Sequence, residues 1–179
     1  MARRPKRSRP EVRSALGLGT GPLVLLSFGG LGLPGFAGGV LAGLDGFHFL
    51  WVGDPEAGPR NVTTVPGERL DALGLGYEDL VAGADVVVTK PGYGIVSDAI
   101  AARTRVVYTE RGDFLEYEVL VEGMARHLPC VHVSNEDLRA GKLGGALLAV
   151  LQLPFPPPPD LSGAAVAARR VLEVAAGGG

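Results

Sequence analysis

Hydrophobic residues along this chain follow two alternating patterns. Six short, nearly continuous apolar runs, rich in valine, leucine and aromatic residues, are typical of strands buried on both faces of a sheet. They cover residues 22–28, 47–53, 61–66, 85–89, 105–110 and 130–134. The segments between them repeat apolar residues at helical spacing, as in 93–102, where Ile95, Val96, Ala99 and Ile100 share one face. The pattern predicts helices at 11–18, 36–44, 77–84, 93–102, 113–128, 136–151 and 162–176.

Alternation of strands and helices predicts the fold class. Parallel strands joined by helices form βαβ units, so we expect one α/β domain with a doubly wound parallel sheet of about six strands. Ligands of such sheets bind outside the carboxyl ends of the strands. The loops that follow Phe28, Gly53, Val65, Thr89 and Glu110 are therefore the candidate site loops.

The charge distribution divides the chain further. Residues 1–9 carry five basic groups and no acid, while the rest holds 12 basic and 19 acidic groups, a formal charge of −7. No aromatic residue accompanies the basic run, so we expect a disordered, solvated leader and no nucleic-acid partner. The expected α/β domain covers residues 10–153, a stiff proline linker covers 154–161, and a last helix and tail cover 162–179.

Composition excludes several classes of protein. Cys130 is the only cysteine, which leaves no internal disulfide and favours a reducing compartment. Apolar runs are far shorter than the roughly 18 residues of a membrane span, and the basic start lacks the apolar stretch of a secretory signal. We therefore expect a cytoplasmic protein. His127, Cys130 and His132 are close in sequence, but alternate strand residues face opposite sides, so no metal site is expected.

A first glycine-rich turn follows the first predicted strand. Gly30, Gly32 and Gly35 match the dinucleotide-binding fingerprint, and Asp54 lies about 20 residues further on, where that fingerprint places an acid. The helix predicted after the turn contains several glycines, which weakens this match. A nicotinamide-binding domain is therefore the less favoured alternative.

A second glycine-rich turn, Thr-Lys-Pro-Gly-Tyr-Gly, follows the clearest strand. Gly92 and Gly94 allow close approach of a ligand to the backbone, a helix N-terminus suits phosphate, and Lys90 adds a cation. Asp98, about one turn into the helix, could accept hydrogen bonds from a vicinal diol such as a ribose. An ordinary strand-to-helix turn with a favourably placed acid explains the same residues. The pattern alone leaves both interpretations open.

The stretches ADVVVTKPGYGIVSDAIA (84–101) and VVYTERGDFLEYEVL (106–120) resemble the donor-binding half of GT-B glycosyltransferases. The resemblance is to the MurG-like group, the family-28 C-terminal domain, and to a related domain fused to arabinokinase-type sugar kinases. It implies a nucleotide-sugar site at the strand ends, with Asp98 in place of the usual ribose-binding glutamate. The implied contacts are Gly29, Gly30 and Gly32 near the diphosphate, Pro66 near the base, the turn residues Lys90, Gly92, Tyr93 and Gly94, and Asp113 and Glu116 near the sugar.

The resemblance implies half of an enzyme. A GT-B glycosyltransferase has two such domains, and this chain has length for one. The expected function is to bind a nucleotide sugar, in particular a UDP-sugar, for hexosyl transfer together with a separate acceptor domain, without a metal or other cofactor. Leu31, Leu33 and Phe36 are expected to be exposed for that partner. A non-catalytic nucleotide-binding or regulatory module is the alternative.

Overall fold

The computed structural model describes residues 3–29, 33–53 and 58–176. Its centre is a six-stranded sheet with the order β3-β2-β1-β4-β5-β6, in which every neighbouring pair is parallel. This is the strand order of the doubly wound Rossmann fold, so the predicted fold class is confirmed. The strands are β1 Leu23–Ser27, β2 His48–Val52, β3 Val62–Val65, β4 Val86–Thr89, β5 Arg105–Tyr108 and β6 Cys130–His132.

Eight α-helices are present in the described ranges, together with one 3-10 helix at Gly38–Leu41. The α-helices are α1 Arg9–Leu16, α2 Gly67–Ala72, α3 Tyr77–Gly83, α4 Tyr93–Ala102, α5 Tyr117–His127, α6 Asn135–Arg139, α7 Gly144–Gln152 and α8 Gly163–Ala176. None of the helices described is both long enough and apolar enough to span a bilayer.

Four helical segments differ from the sequence prediction. The helix predicted over 113–128 begins only at Tyr117, so Asp113 lies in the loop before it and Glu116 is its N-cap. The glycine-rich segment 36–44 forms only the 3-10 helix, because glycine stabilises a helix poorly. The helix predicted over 136–151 is two helices, since Gly141 between them adopts a left-handed conformation with φ +72°. Helix α2 was not predicted, because its six residues are too few to show a helical period.

Two hydrophobic cores lie on opposite faces of the sheet. Alternate residues of a strand point to opposite faces, so Leu23 and Leu25 of β1 pack against α1, α3, α4 and α5, whereas Val24 and Leu26 pack against α6 and α7. All four side chains are buried. Because both faces are covered, the polar loops at the strand ends are the places where a ligand can reach the sheet.

Residues 3–8 differ from the expected solvated leader. The backbone N–H groups of Lys6 and Arg7 both donate to Oδ1 of the fully buried Asp79, at 2.6 and 3.1 Å. The other oxygen of Asp79 accepts from the N–H of Gly76 at 2.9 Å. A buried carboxylate requires hydrogen-bond donors, and this segment provides two of them, which fixes it against α3.

The proline-rich segment after α7 also contacts the domain. The guanidinium groups of Arg103 and Arg105 lie 4.8 and 4.6 Å from the ring centre of Phe155, and Arg103 donates to the Pro156 carbonyl at 3.1 Å. Cation–π contacts of this kind fix the start of the segment. Helix α8, which follows it, has no buried residue.

Candidate functional site

A cleft of about 500 Å³ opens at the carboxyl edge of the sheet. It lies between the loop after β1 and the N-terminus of α4, and the loop after β5 closes one side. Rossmann-like sheets bind ligands at this position, where the strand order reverses between β1 and β4. The described lining consists of Ser27, Phe28, Gly29, Thr89, Lys90, Gly92, Tyr93, Gly94, Ile95, Arg111 and Phe114.

The N-terminus of α4 supplies hydrogen-bond donors to the cleft. Gly92 is the N-cap and makes no side-chain cap, and the first helical bond is from the N–H of Val96 to the Gly92 carbonyl at 3.0 Å. The N–H groups of Tyr93, Gly94 and Ile95 therefore have no partner within the helix. Such groups, with the positive end of the helix dipole, favour an anion.

Two cations line the same cleft, and the described lining contains no acid. Lys90 follows β4 directly, and Arg111 comes from the loop after β5. Nη1 of Arg111 donates to the Pro91 carbonyl at 2.8 Å, and its guanidinium carbon lies 4.3 Å from the ring centre of Phe114. Sequence reasoning missed Arg111, although a basic residue directly after a predicted strand was the available signal.

Gly92 and Gly94 have different physical effects on the cleft. Gly92 has φ −147°, which any residue adopts, but a Cβ added there would lie 2.5 Å from Nη1 of Arg111. Glycine at this position therefore allows Arg111 to lie across the turn. Gly94 differs, since a Cβ added there would meet no atom within 4 Å. Its missing side chain keeps the cleft open.

Tyr93 connects the cleft to the loop that the resemblance assigns to sugar binding. Tyr93 is exposed, and its interaction with the carboxylate of Glu116 raises the pKa of Tyr93. Its ring meets that of Phe114 edge-on, at 6.4 Å between centroids. Glu116 and Asp113 are themselves exposed and do not line the cleft in the part of the chain described.

Asp98 does not line the cleft either. Its side chain is 2% exposed, and both carboxylate oxygens bond to Arg3. The Arg3 backbone N–H donates to Oδ1 at 3.1 Å, Nε donates to Oδ2 at 3.1 Å, and Nη2 also reaches Oδ2. Glu78 of α3 adds a second carboxylate 3.5 Å from Arg3. In this conformation Asp98 has no oxygen left for a ribose, and that contact stays a prediction.

The remaining predicted site residues are spread along the carboxyl edge. Gly29 lines the cleft and has φ +72°, a left-handed conformation that favours glycine. Pro66 follows β3 as the N-cap of α2 and lies outside the described lining. Gly30, Gly32 and Asp54 fall outside the described residues. The structure thus brings Gly29, Lys90, Gly92, Tyr93 and Gly94 together at one cleft.

A smaller cavity of about 340 Å³ adjoins the cleft and shares Ser27, Phe28 and Gly29 with it. Trp51 at the end of β2 and Tyr77 at the start of α3 also line this second cavity. The hydroxyl of Tyr77 donates to Oγ of Ser27 at 2.7 Å, and burial raises the pKa of Tyr77. The pair of cavities forms a groove from β2 across β1 and β4 to the loop after β5.

Two residues expected to be exposed for a partner are not. Leu33 is 8% exposed and belongs to the core under α6 and α7. Phe36 packs against Phe28 and Trp51, at 5.3 and 5.6 Å between ring centres. Because these side chains fill the core beside β1 and β2, that expectation was wrong for both. Leu31 lies outside the described residues.

Comparison with known proteins shows which solved structures share the fold of this chain. No family model matches this sequence, and no curated protein matches it. Solved structures do match it. The glycosyltransferase VinC in complex with dTDP is 17% identical over 97% of this chain and 45% of its own, with a TM-score of 0.62. The glycotransferase of kitacinnamycin and the spinosyn forosaminyltransferase SpnP give TM-scores of 0.54 and 0.53 at 17 and 15% identity. The chain has the fold of a single GT-B half.

The extent of these matches limits what they show. This chain spans 45% of VinC, 36% of the kitacinnamycin enzyme and 40% of SpnP, so it corresponds to less than half of each. Structures at this identity share the fold, while the specificity of the MurG-like group stays a prediction.

A larger cavity, of about 640 Å³, lies at the opposite, amino edge of the sheet. Two polar side chains that line it are bonded within the protein: Asn61 donates to the Leu41 carbonyl at 2.9 Å, and His48 pairs with Thr63 at 2.8 Å. Size alone therefore favours this cavity, whereas strand polarity, charge and unpaired helix donors favour the carboxyl edge. We place the candidate site at the carboxyl edge. The described residues include no cluster of three or more potential metal ligands.

Proposed function

We propose that this chain is the donor-binding half of a glycosyltransferase and binds a nucleoside-diphosphate sugar in the carboxyl-edge cleft. The observation that carries the proposal is the convergence of three N–H groups of α4 with Lys90 and Arg111 on one cleft without an acid in its described lining. A diphosphate needs this combination of dipole and positive charge.

The groove also suggests how the nucleotide lies. The cavity beside Trp51 and Tyr77 is aromatic and holds no cation in its described lining, which suits a nucleoside better than a phosphate. The phosphates then reach Lys90 and the N-terminus of α4, and the sugar lies near the loop after β5. Glu116, which interacts with Tyr93, is at that end of the groove.

The resemblance of the turn and of residues 106–120 supports a UDP-sugar as the donor, and VinC is a glycosyltransferase whose structure holds dTDP. Both are pyrimidine nucleoside diphosphates, and we propose that class, with UDP preferred. The transferred group is a hexosyl group, and the acceptor comes from a second domain, because the chain spans less than half of the glycosyltransferases that it resembles.

The test is calorimetric titration of the purified chain with UDP, dTDP, GDP and NAD, each without and with Mg²⁺. We expect UDP and dTDP to bind without the metal and GDP to bind more weakly. Tight binding of NAD alone would instead support the dinucleotide alternative. Absence of binding by all the diphosphates would contradict the proposal.

A matched pair of glycine variants shows whether binding uses the cleft. Gly94→Leu places a side chain at the cleft, and Gly123→Leu places the same side chain on α5, where an added Cβ also meets no atom within 4 Å. Both variants should fold, as checked by their melting temperatures. We expect Gly94→Leu to lower UDP affinity at least tenfold and Gly123→Leu to leave it unchanged. An equal effect of the two would place the nucleotide elsewhere.

A further inference from the structure

Arg111 is held in one orientation at the far end of the groove. One of its nitrogens, Nη1, is bonded to the Pro91 carbonyl at 2.8 Å, and the face of its guanidinium lies on Phe114 at 4.3 Å. The side chain is nevertheless exposed and lines the cleft. Among the described residues, neither Nε nor Nη2 of Arg111 donates a hydrogen bond. A cation fixed in this way keeps donors available and loses little conformational entropy when it binds an anion.

The packing around Arg111 depends on Gly92. A Cβ at residue 92 would lie 2.5 Å from Nη1, so any other residue there would require the guanidinium to move away. The backbone of Gly92 is otherwise ordinary, so the fold does not require glycine for its conformation. Glycine at residue 92 therefore allows the guanidinium to lie over the N-terminus of α4, where the helix N–H groups also lie.

The order of groups along the sheet edge gives Arg111 a specific place. Trp51 lies at the end of β2, Gly29 follows β1, Lys90 follows β4, and Arg111 follows β5, and these strands are adjacent in that order. Lys90 lies between the aromatic cavity and Arg111. If the nucleoside lies at the aromatic end, the first phosphate meets Lys90 and the helix, and the second phosphate meets Arg111.

We propose that Arg111 binds the distal phosphate of the donor and thereby distinguishes a nucleoside diphosphate from a monophosphate. This inference rests on the proposed function, since it presupposes a nucleotide in the groove. The guanidinium fork offers two donors to one phosphate, which a lysine does not.

The test compares UDP, UMP and inorganic pyrophosphate by calorimetric titration against the parent chain and three variants. Arg111→Gln removes the charge, and Arg111→Lys keeps the charge but not the fork. Arg126→Gln removes an exposed charge from α5, where Arg126 pairs with Glu122, and serves as the matched control. Melting temperatures of all variants are measured alongside.

We expect Arg111→Gln to weaken UDP binding about ten- to hundredfold, the range for a lost charged hydrogen bond, and UMP binding less than twofold. Arg111→Lys should recover part of the loss, Arg126→Gln should change neither affinity, and pyrophosphate binding should disappear in Arg111→Gln. Equal losses for UDP and UMP would overturn the inference, because Arg111 would then act by positioning α4. Unchanged UDP affinity in Arg111→Gln would also overturn it.

The same titrations separate this inference from the proposed function. A parent chain that binds pyrophosphate through Arg111 but binds no nucleotide would contradict the proposed function and leave Arg111 as an anion-binding residue. A parent chain that binds neither would overturn both.

Discussion

The hydrogen-bond partner of Asp98 decides whether this residue can contact a ligand at the candidate site. It lies in the part of α4 that resembles the ribose-binding turn of the glycosyltransferase family. Both of its carboxylate oxygens, however, accept hydrogen bonds from Arg3. Arg3 is itself about half exposed, with a side-chain exposure of 53%. A half-exposed cation can leave more readily than a buried one, because water replaces its hydrogen bonds. A ribose contact by Asp98 therefore requires competition with Arg3.

This competition predicts an unusual gain of affinity. Arg3→Gln should raise the affinity for UDP several-fold, because the ribose no longer displaces a guanidinium from Asp98. Arg4→Gln, an equal change of charge at an exposed neighbour, should have no effect. The gain should disappear in the double variant Arg3→Gln with Asp98→Asn. Titration calorimetry that shows no gain in Arg3→Gln would argue that Asp98 has a structural role only.

Glu110 holds the start of the loop that carries Arg111. Oε2 accepts hydrogen bonds from the backbone N–H of Asn135 at 2.7 Å and from Oγ1 of Thr109 at 3.0 Å, and Oε1 lies 3.1 Å from Nε2 of His132. Partial burial would raise the pKa of Glu110, but these hydrogen bonds, with one from its own backbone, outweigh burial and lower the pKa below its usual value.

The lowered pKa of Glu110 predicts how its contribution depends on pH. A carboxylate whose pKa is lower in the folded state stabilises the fold above its unfolded pKa, about 4.3, and loses that contribution as the pH falls through the folded pKa. Glu110→Gln should therefore be less stable than the parent at pH 7 and approach it at pH 3. Urea unfolding at both pH values measures this. Glu118→Gln, at an exposed site on α5, is the control, and a pH-independent difference for Glu110→Gln would contradict the argument.

Single residues also show how far the sequence could define the site. Glycines and a lysine directly after a predicted strand indicate a loop at the strand end. Lys90, Gly92 and Gly94 could therefore be placed at the cleft from the sequence. The position of Arg111 depends on its contact with Gly92, which is 19 positions away along the chain. The Arg3–Asp98 pair joins residues that are 95 positions apart. Such contacts follow from tertiary packing and leave no local pattern.

At the scale of elements, the turn between α6 and α7 packs against the 3-10 helix at Gly38–Leu41. Gly141 has φ +72°, and a Cβ added there would lie 2.3 Å from the carbonyl oxygen of Val40. Val40 belongs to the 3-10 helix after β1. The turn therefore presses directly on backbone that leads from the first site loop towards β2, and only glycine fits between them.

Gly141→Ala should lower the free energy of unfolding by about 2–4 kcal/mol, through left-handed strain together with overpacking. Gly17→Ala is the matched control. Gly17 has φ +68°, but a Cβ there meets no atom within 4 Å, so strain alone, about 1–2 kcal/mol, is expected. Urea unfolding of both variants measures the difference, and equal losses would show that the contact with Val40 costs nothing.

Elements with a strong periodic pattern were predictable, and short ones were not. The six strands are continuous apolar runs because both faces of the sheet are covered, so their number and parallel direction could be predicted from the sequence. The 3-10 helix at Gly38–Leu41 and helix α2 are four and six residues long. Their conformation depends on what they pack against, and a period cannot appear over so few residues.

At the scale of the whole molecule, the cleft is open along the carboxyl edge. Its described lining comes from the ends of β1 and β4, from the loops after β1, β4 and β5, and from α4. A diphosphate bound there keeps one side in water. Electrostatic stabilisation of a leaving group is strongest where water is excluded, so a second domain over this edge would increase it.

The chain should therefore bind a donor without transferring its sugar. The described lining of the cleft contains no histidine and no carboxylate. Oε1 of Glu110 lies 3.1 Å from Nε2 of His132, and the exposed acids Asp113 and Glu116 lie outside that lining. We expect the purified chain to bind UDP-glucose and UDP-N-acetylglucosamine, and to release UDP, with or without sugar and lipid acceptors, far more slowly than about 1 per second, the low end for ordinary enzymes. A coupled assay for UDP release measures this, with Gly94→Leu as the control for contaminating activity. Release faster than that rate, lost in Gly94→Leu, would show that this half carries its own catalytic base.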